Sequence, residues 1–310
     1  MKVMVFGGTG WIGHKIARDF VAAGHQVSIC SRGGNNNFAG AVADIETIHA
    51  DKKSIPELAS IFAARKYDVV IDSVPQENTI RGIFQYARGL KHYIHCSSTG
   101  GYAPLPFIPC NETAHYEGYD GYWKSGKKAF DNLALELCSR EGFPATILRP
   151  CYISGPGMLP LDNLGGRRTD FISDIQHNVT LDVVNDGQAL LQPVHADDLA
   201  RSFLLAVQVP QKSIGQVYNI CLERAVTLDR YLEITAAALD TVPVINHLPI
   251  EMMLAKHAGH INEIGLRFMA HHMCFDITKA REQLGYVPEH TTEETIEENA
   301  CWADRGDQLK

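Results

Sequence analysis

A glycine-rich turn close to the N-terminus constrains the fold of this chain more than any other feature. The apolar run Lys2–Phe6 ends at Gly7, and an amphipathic helical pattern begins at residue 12. Glycines spaced three apart allow a tight turn, a close approach of the backbone to a pyrophosphate, and close packing of the helix on the strand. The segment therefore predicts a strand–turn–helix unit that holds a dinucleotide through Gly7, Thr9, Gly10, Trp11, Ile12 and Gly13.

Strand-like and helix-like segments alternate through the first half of the chain. Further strands are predicted at residues 26–30, 46–49, 68–72, 92–96 and 145–149, with helical patterns between most of them. The stretch 68–72 reads DVVID and is almost entirely apolar, as expected of a strand that helices cover on both faces. This alternation predicts an α/β fold, with a Rossmann-type, doubly wound parallel sheet.

The regular alternation ends after Pro150, which suggests a division into two parts. We expect a dinucleotide-binding domain over residues 1–155, to which residues 190–215 and about 275–285 return. Residues 156–310 are expected to form mainly a smaller, mixed α/β lobe that binds the substrate. A chain of 310 residues is long enough for this arrangement.

Composition argues against several classes of protein. The formal net charge is −8 and no long run of Lys or Arg appears, so nucleic acid is not the expected partner. No stretch approaches the roughly 20 apolar residues of a membrane span, and the apolar N-terminus is too short for an export signal. The eight cysteines are scattered, without a CxxC pair. We therefore expect a cytoplasmic protein with reduced thiols.

The end of the second predicted strand bears on the choice of dinucleotide. NAD-specific sites usually present an acid there, which binds the ribose hydroxyls, but residues 28–33 contain none. Ser31 and Arg32 suit a 2′-phosphate instead, because a guanidinium contacts phosphate in a bidentate manner. We expect NADP(H) in preference to NAD(H), with Asp51 either near the adenine end or capping the next helix.

These motifs and several others resemble the extended short-chain dehydrogenase/reductase superfamily, in particular its NAD-dependent epimerase/dehydratase branch. The resemblance spans nearly the whole chain and rests on GGTGWIG at 7–13, HCSSTGGY at 95–102, LRPCYISGP at 148–156, VHADDLA at 194–200 and FDITKAREQLGYVP at 275–288. It implies an NAD(P)-dependent epimerase or oxidoreductase. Such an enzyme transfers hydride at a carbinol or ketone carbon of a sugar-like, nucleotide-linked substrate. The resemblance also implies a homodimer.

In that family a serine or threonine hydroxyl, a tyrosine, and a lysine four residues after the tyrosine form the catalytic site. The resemblance assigns the hydroxyl to Ser98, with Ser97 and Thr99 as neighbours that offer the same group. It assigns the lysine to Lys127, which would also hold the nicotinamide ribose. The chemistry is sound, since a phenol of pKa about 10 becomes a base at neutral pH only if a nearby cation favours phenolate.

The tyrosine of this motif is displaced. Trp123 stands four residues before Lys127, and its indole can only donate a hydrogen bond. Tyr122 is one residue too early, so that on a regular helix it would lie roughly 140° from Lys127, against about 40° for a four-residue spacing. We take Tyr122 as the acid/base group. The alternatives are the loss of such catalysis or another group in the preceding loop: Tyr119, Tyr116 or His115.

Other polar residues are candidates for ligand contacts. Arg167 and Arg168 would bind a substrate phosphate or carboxylate, or else lie on the surface, whereas Arg149 is structural or near the cofactor. A zinc-like pattern occurs near the C-terminus, but the resemblance requires no metal and we expect none. The residues of that pattern are His257, His260, His271, His272 and Cys274.

Two alternatives to an enzyme remain open. The chain is also similar to the chloroplast stem-loop RNA-binding members of the same superfamily, in YDVVIDSV at residues 67–74 and in the serine-rich turn after the fifth strand. A regulator that binds NADP(H) and turns nothing over is the other alternative, which Trp123 keeps open.

Overall fold

The structure is a computed structural model that describes residues 1–33, 37–117 and 123–306, the last range without the side chains of residues 123–125. Its strands are β1 (Lys2–Phe6), β2 (Gln26–Ser31), β3 (Glu46–His49), β4 (Val69–Asp72), β5 (His92–Cys96), β6 (Ala145–Pro150), β7 (Tyr152–Ser154), β8 (Leu181–Val184), β9 (Leu190–Leu191), β10 (Pro193–His195), β11 (Val217–Ile220), β12 (Val226–Thr227) and β13 (Ile245–Leu248).

Helices connect most of these strands. They are α1 (Trp11–Ala22), α2 (Ile55–Ala64), α3 (Glu77–Tyr86), α4 (Ala129–Glu141), α5 (Phe171–Gln176), α6 (Ala196–Gln208), α7 (Pro210–Ser213), α8 (Leu228–Ala237), α9 (Ile250–Lys256), α10 (Glu263–Met269), α11 (Thr278–Leu284) and α12 (Thr292–Asp304). Two short 3₁₀ turns lie at Gly40–Val42 and Thr99–Tyr102.

The main sheet is parallel and has the order β11-β6-β5-β4-β1-β2-β3. From β1 the chain proceeds outward through β2 and β3, then crosses to β4 and proceeds outward on the other side. The strand order therefore reverses between β1 and β4, where the carboxyl ends of the strands open a crevice for ligands. This topology confirms the predicted Rossmann-type, doubly wound sheet.

Helices cover both faces of the sheet, and the period of two in β1 shows how. Val3 and Val5 pack on one side with residues of α1, α6 and α11. Met4 and Phe6 pack on the other side with residues of α2, α3 and α4. Because successive side chains of a strand point to opposite faces of the sheet, the side chains on both faces of β1 are buried.

The second half of the chain builds a smaller lobe against the carboxyl edge of this sheet. Short strand pairs, β8 with β13 and β9 with β12, surround a separate apolar core with α5, α8, α9, α10 and α12. Phe171 is fully buried in this core. The chain also returns to the main sheet, since β11 is its edge strand beside β6.

The helical segment that carries Lys127 does not begin as a regular α-helix. Trp123–Lys128 form a π-helix, and α4 follows from Ala129. Hydrogen bonds in a π-helix join residues five apart, whereas those of an α-helix join residues four apart. The assumption of regular α-helical angles around Lys127 is therefore wrong.

No helix in the described part of the chain is long and apolar enough to cross a membrane. All eight cysteines lie in that part, and none of them forms a disulfide.

Candidate active site

The glycine turn forms a bare cradle at the start of α1. Gly7 has φ +79°, a left-handed conformation that L side chains rarely adopt. A Cβ on Gly13 would lie 2.0 Å from the carbonyl oxygen of Gly7, so only glycine lets the helix pack this closely on the turn. Gly10 caps α1 without a side-chain hydrogen bond, which leaves the helix N-terminus to a ligand.

A cavity of about 450 Å³ extends from this cradle along the carboxyl ends of β1, β2 and β4. All the predicted cofactor residues except Lys127 line it: Gly7, Thr9, Gly10, Trp11, Ile12, Gly13, Ser31, Arg32 and Asp51. The indole of Trp11 also donates a hydrogen bond to the carbonyl oxygen of Pro156 at 2.9 Å, which ties the cradle to the segment after β7.

Charged groups line the β2 end of this cavity. Arg32 and Lys53 are exposed there, and no described carboxylate pairs with Arg32. Lys52 is committed to the fold, because its ammonium pairs with the fully buried Asp72. One carboxylate oxygen of Asp51 accepts from the backbone N–H of Lys53 at 3.0 Å, and Ser54 is the residue that caps α2. The β2 end of the cavity thus presents the cations of Arg32 and Lys53 and the hydroxyl of Ser31.

The predicted catalytic hydroxyl lies on the turn that follows β5. Ser98 Oγ accepts from the N–H of Gly100 at 3.1 Å and caps the short 3₁₀ turn. Thr99 is 1% exposed, and its Oγ1 has no hydrogen-bond partner among the described residues. Ser97 Oγ lies 3.2 Å from the hydroxyl of Tyr116. Three hydroxyls therefore stand together at this edge of the sheet.

Lys127 reaches the same turn. Its Nζ donates to the carbonyl oxygen of Cys96, the last residue of β5, at 3.1 Å. The structure thus brings the ammonium to the start of the turn that carries Ser98. Tyr122 and Tyr119 lie outside the described residues, and so does the side chain of Trp123.

Tyr116 and His115, two of the alternative acid/base groups, contact other parts of the protein. The hydroxyl of Tyr116 donates to the carbonyl oxygen of Ser98 at 2.8 Å, and its ring lies 3.4 Å from the guanidinium carbon of Arg149. Burial raises the pKa of Tyr116 far above the ordinary tyrosine value, so this phenol is a poor base at neutral pH. His115 is 77% exposed and pairs with Glu117.

A buried ionic network lies beneath the turn, and it was not predicted from the sequence. Asp131, on α4, accepts from His95 at 2.8 Å and from Nε of Arg149 at 2.9 Å. Burial alone would raise the pKa of Asp131, but the hydrogen bond from His95 and the charge of Arg149 lower it overall. Arg149 also donates to Tyr102. The one sequence signal is spacing, since Asp131 follows Lys127 by four residues.

The two arginines predicted to meet a substrate anion are engaged with the protein. Arg167 donates to the carbonyl oxygens of Ile153 and Leu159 and lies over the ring of Tyr152. Arg168 forms ion pairs with three carboxylates, those of Asp162, Asp170 and Asp174. Both guanidinium groups therefore hold the loop before α5.

One group of potential metal ligands stands together in the described part of the chain, and it differs from the zinc-like pattern considered above. It consists of His195, Asp198 and His290. Nδ1 of His195 accepts from the N–H of Asp197 and caps α6, while the carboxylate of Asp198 accepts from two backbone N–H groups, those of residues 289 and 290. Nδ1 of His290 also lies 2.9 Å from the carboxylate of Asp198, and these contacts connect α6 to the segment before α12.

Comparison with known proteins defines the class. Residues 3–221 match the model of the NAD dependent epimerase/dehydratase family, and the chain belongs to that family. Among curated proteins, it is 28% identical over 305 residues to the chloroplast stem-loop binding protein of 41 kDa b of Arabidopsis thaliana, covering 93% of this chain and 75% of that one. It is 22% identical to UDP-glucose 4-epimerase of Corynebacterium glutamicum, covering 98% and 95%.

Solved structures share the fold over nearly the whole chain. A UDP-glucose 4-epimerase of Thermotoga maritima with UDP-glucose superposes with a TM-score of 0.77 at 19% identity, covering 99% of both chains. A UDP-glucuronic acid 4-epimerase of Bacillus cereus in complex with NAD has a TM-score of 0.78 at 16% identity, covering 98% of this chain and 99% of that chain.

Proposed function

We propose that this protein is an NAD(P)-dependent epimerase or reductase that transfers hydride at a carbinol or ketone carbon of a sugar-like substrate. The observation that carries the proposal is the position of Lys127. Its ammonium is bonded to the end of β5, beside the Ser98 turn and at the carboxyl edge of the sheet that carries the glycine cradle. Cofactor cradle, cation and hydroxyl thus share one edge of the sheet.

The cradle fits a nicotinamide dinucleotide, because the glycine turn and the N-terminus of α1, which has no side-chain cap, border a cavity of about 450 Å³. When bound, that cofactor would supply or accept the hydride. Lys127 would hold the nicotinamide ribose and lower the pKa of a neighbouring phenol. The hydroxyl of Ser98 would donate to the reacting oxygen of the substrate and so polarise its carbon.

We propose Tyr122 as the phenol that moves the proton. Its five-residue spacing from Lys127 is unsuitable for a regular α-helix. The backbone from Trp123 to Lys128 is a π-helix, however, and residues five apart are hydrogen-bonding partners in such a helix. The spacing therefore no longer argues against a Tyr122–Lys127 pair, although Tyr122 itself lies outside the described residues.

We further propose that NADP(H) is preferred over NAD(H), since Arg32 and Lys53 line the adenosine end and β2 ends without an acid. A cytoplasmic homodimer and a nucleotide-linked sugar substrate complete the proposal. The substrate is suggested by the names of the relatives alone, and UDP-glucose and UDP-glucuronic acid are accordingly the first to test.

RNA binding is the second candidate function, because the chloroplast stem-loop binding protein is the curated relative with the higher identity of the two compared above. The net charge of −8 weakens it, since RNA binding depends on neutralising phosphates. Saturable, salt-dependent retention of a stem-loop RNA would favour it, and retention would then be expected without any dinucleotide. Binding of NADP(H) without turnover would instead favour the regulator that binds the dinucleotide and catalyses no reaction.

Titration of nucleotide-stripped protein with NADPH and NADH, followed by nicotinamide fluorescence, tests the cofactor site first. We expect micromolar binding with NADPH bound more tightly. Tyr122→Phe should then leave the dinucleotide Kd unchanged and lower kcat at least about a hundredfold, the usual size of a lost acid/base group. Tyr119→Phe serves as the matched control. Loss of activity in the Tyr119 variant alone would transfer the role to that residue.

A further inference from the structure

A second cavity, of about 180 Å³, lies beside the Ser98 turn and faces the C-terminal lobe. Ser98 and Thr99 form its polar side. The other walls are apolar and come from β9, α10 and the segment after α10, notably Leu190, Phe268, Met269 and Met273. The position next to the proposed catalytic hydroxyl makes this cavity the place for the substituent of the reacting carbon.

No charged side chain in the described part of the chain lines this cavity. A nucleotide diphosphate needs cations or a cluster of N–H donors. Arg167 and Arg168 use their guanidinium groups to contact backbone carbonyls and carboxylates of the lobe itself, and Arg267, next to Phe268 in sequence, pairs with Glu263. The cavity therefore lacks the chemistry that a pyrophosphate requires.

The size of the cavity points to a small ring or a branched alkyl group. A dry apolar cavity of about 150 Å³ accepts benzene, so about 180 Å³ holds a group of that size. One polar anchor is present, because Thr99 Oγ1 is buried without a described partner. A buried hydroxyl without a partner is costly, and an oxygen of the ligand would relieve that cost.

We propose that the substrate places its reacting oxygen at Ser98 and Thr99 and an apolar group of about benzene size in this cavity. The substrate class is then a small secondary alcohol or ketone with an aryl or branched alkyl substituent, and this assignment from the cavity replaces the nucleotide-linked sugar proposed above, which only the names of relatives suggest. This inference rests on the proposed hydride transfer and changes only the substrate. Hydride passes between the carbinol carbon and the nicotinamide, while the hydroxyl proton passes to the acid/base group.

Equilibrium binding tests the cavity independently of turnover. Acetophenone is titrated calorimetrically into NADP⁺-loaded protein and UDP-glucose into NADPH-loaded protein, pairings in which no hydride can be transferred, using the wild type, Leu190→Lys, and the control Val242→Lys. Val242 is 75% exposed and does not line the cavity, so it receives the same charge elsewhere. We expect saturable binding of acetophenone, weakened at least about tenfold by Leu190→Lys, because burying a charge against an apolar ring is unfavourable, and unchanged in the control.

A second variant protects the test against misfolding of the first. Phe268→Ala enlarges the cavity and should shift the preference from acetophenone to the larger 2-acetonaphthone by about tenfold or more. Tighter binding of UDP-glucose than of both ketones, or ketone binding that neither variant alters, would overturn the proposal. NADPH oxidation is measured in parallel. Turnover of UDP-sugars alone would overturn the apolar substrate and leave the proposed hydride transfer intact. Ketone binding that the variants weaken, without any turnover, would support the apolar cavity and overturn the proposed hydride transfer.

Discussion

Lys127 donates a hydrogen bond from its Nζ to the carbonyl oxygen of Cys96 at 3.1 Å, and this contact fixes a cation at the carboxyl end of β5. Cys96 is two residues before Ser98, the proposed hydroxyl. A side chain from the π-helix is thereby positioned by the backbone of the central sheet. The geometry depends on elements that lie 31 residues apart in sequence.

Replacing Lys127 should separate catalysis from folding. We expect Lys127→Met to lower kcat/KM at least about a hundredfold and to weaken dinucleotide binding, because the cation that favours phenolate is lost. Lys128→Met is the matched control, since Lys128 pairs with Glu117 and is not bonded to the Ser98 turn. Steady-state kinetics and fluorescence titration measure both effects. Equal losses in the two variants would contradict the assignment.

Arg32 should decide the choice of dinucleotide. Arg32→Asp is expected to raise the Kd for NADPH at least about tenfold and to leave the Kd for NADH unchanged or lower, because an acid repels a 2′-phosphate and binds ribose hydroxyls. Arg88→Asp makes the same charge change at an exposed site outside the cofactor cavity. If Arg32→Asp raises the Kd for both dinucleotides equally, Arg32 does not bind the 2′-phosphate.

Gly13 should tolerate no side chain. Gly13→Ala places a Cβ 2.0 Å from the carbonyl oxygen of Gly7, so α1 must move away from the turn. We expect a lower midpoint of thermal unfolding and a loss of dinucleotide binding. Gly40→Ala is the control, because nothing lies within 4 Å of its added Cβ. Retention of wild-type Kd values by Gly13→Ala would show that the close packing is unnecessary for binding.

The ion pair of Arg149 and Asp131 should be costly to break from one side. Arg149→Met leaves the carboxylate of Asp131 buried without its cation, which typically destabilises a protein by about 3–5 kcal/mol. Arg140→Met removes an exposed partner of Glu136 and should change the free energy of unfolding by about 1 kcal/mol or less. Urea denaturation compares the two. A loss below about 1 kcal/mol for Arg149→Met would contradict this account.

His92 should contribute to acid instability. It is 2% exposed, and burial lowers its pKa to about 4, below the usual value of 6.5. The unfolded chain therefore binds a proton that the folded protein does not, and stability falls as pH decreases from about 6.5 to 4.

His92→Gln should remove this dependence, which amounts to at most about 1.4 kcal/mol per pH unit over that window. Urea denaturation at several pH values measures it, with the exposed His260→Gln as control. If the free energy of unfolding of His92→Gln falls with decreasing pH as steeply as that of the wild type, other groups cause the loss of stability in acid.

The local patterns of the sequence predicted the sheet and the cofactor cradle, because a glycine turn between a strand and a helix is specified within about a dozen residues. The network of His95, Asp131 and Arg149 was not predictable in this way. Its members come from β5, α4 and β6, and only the assembled sheet brings them together. The roles of Arg167 and Arg168 were open for the same reason, since their partners are set by the folded loop.

The apolar cavity beside Ser98 shows more clearly what local sequence patterns do not predict. Its walls combine β9, the start of α8, α10 and the residues after α10 with the turn after β5. No single stretch of sequence carries a signature for such a surface. The family resemblance points to the substrates of relatives, while the side chains that line this cavity are brought together by contacts between segments far apart in sequence.

The π-helix at Trp123–Lys128 has a consequence for how such a site changes over time. An extra residue in a uniform α-helix would rotate everything beyond it by about 100° and would turn buried side chains outward. Here the π-helix takes up the additional residue within one wide turn, and Asp131 and Ala134 remain fully buried in α4. A member of this family can therefore alter the spacing of groups at the start of this helix without repacking its interior.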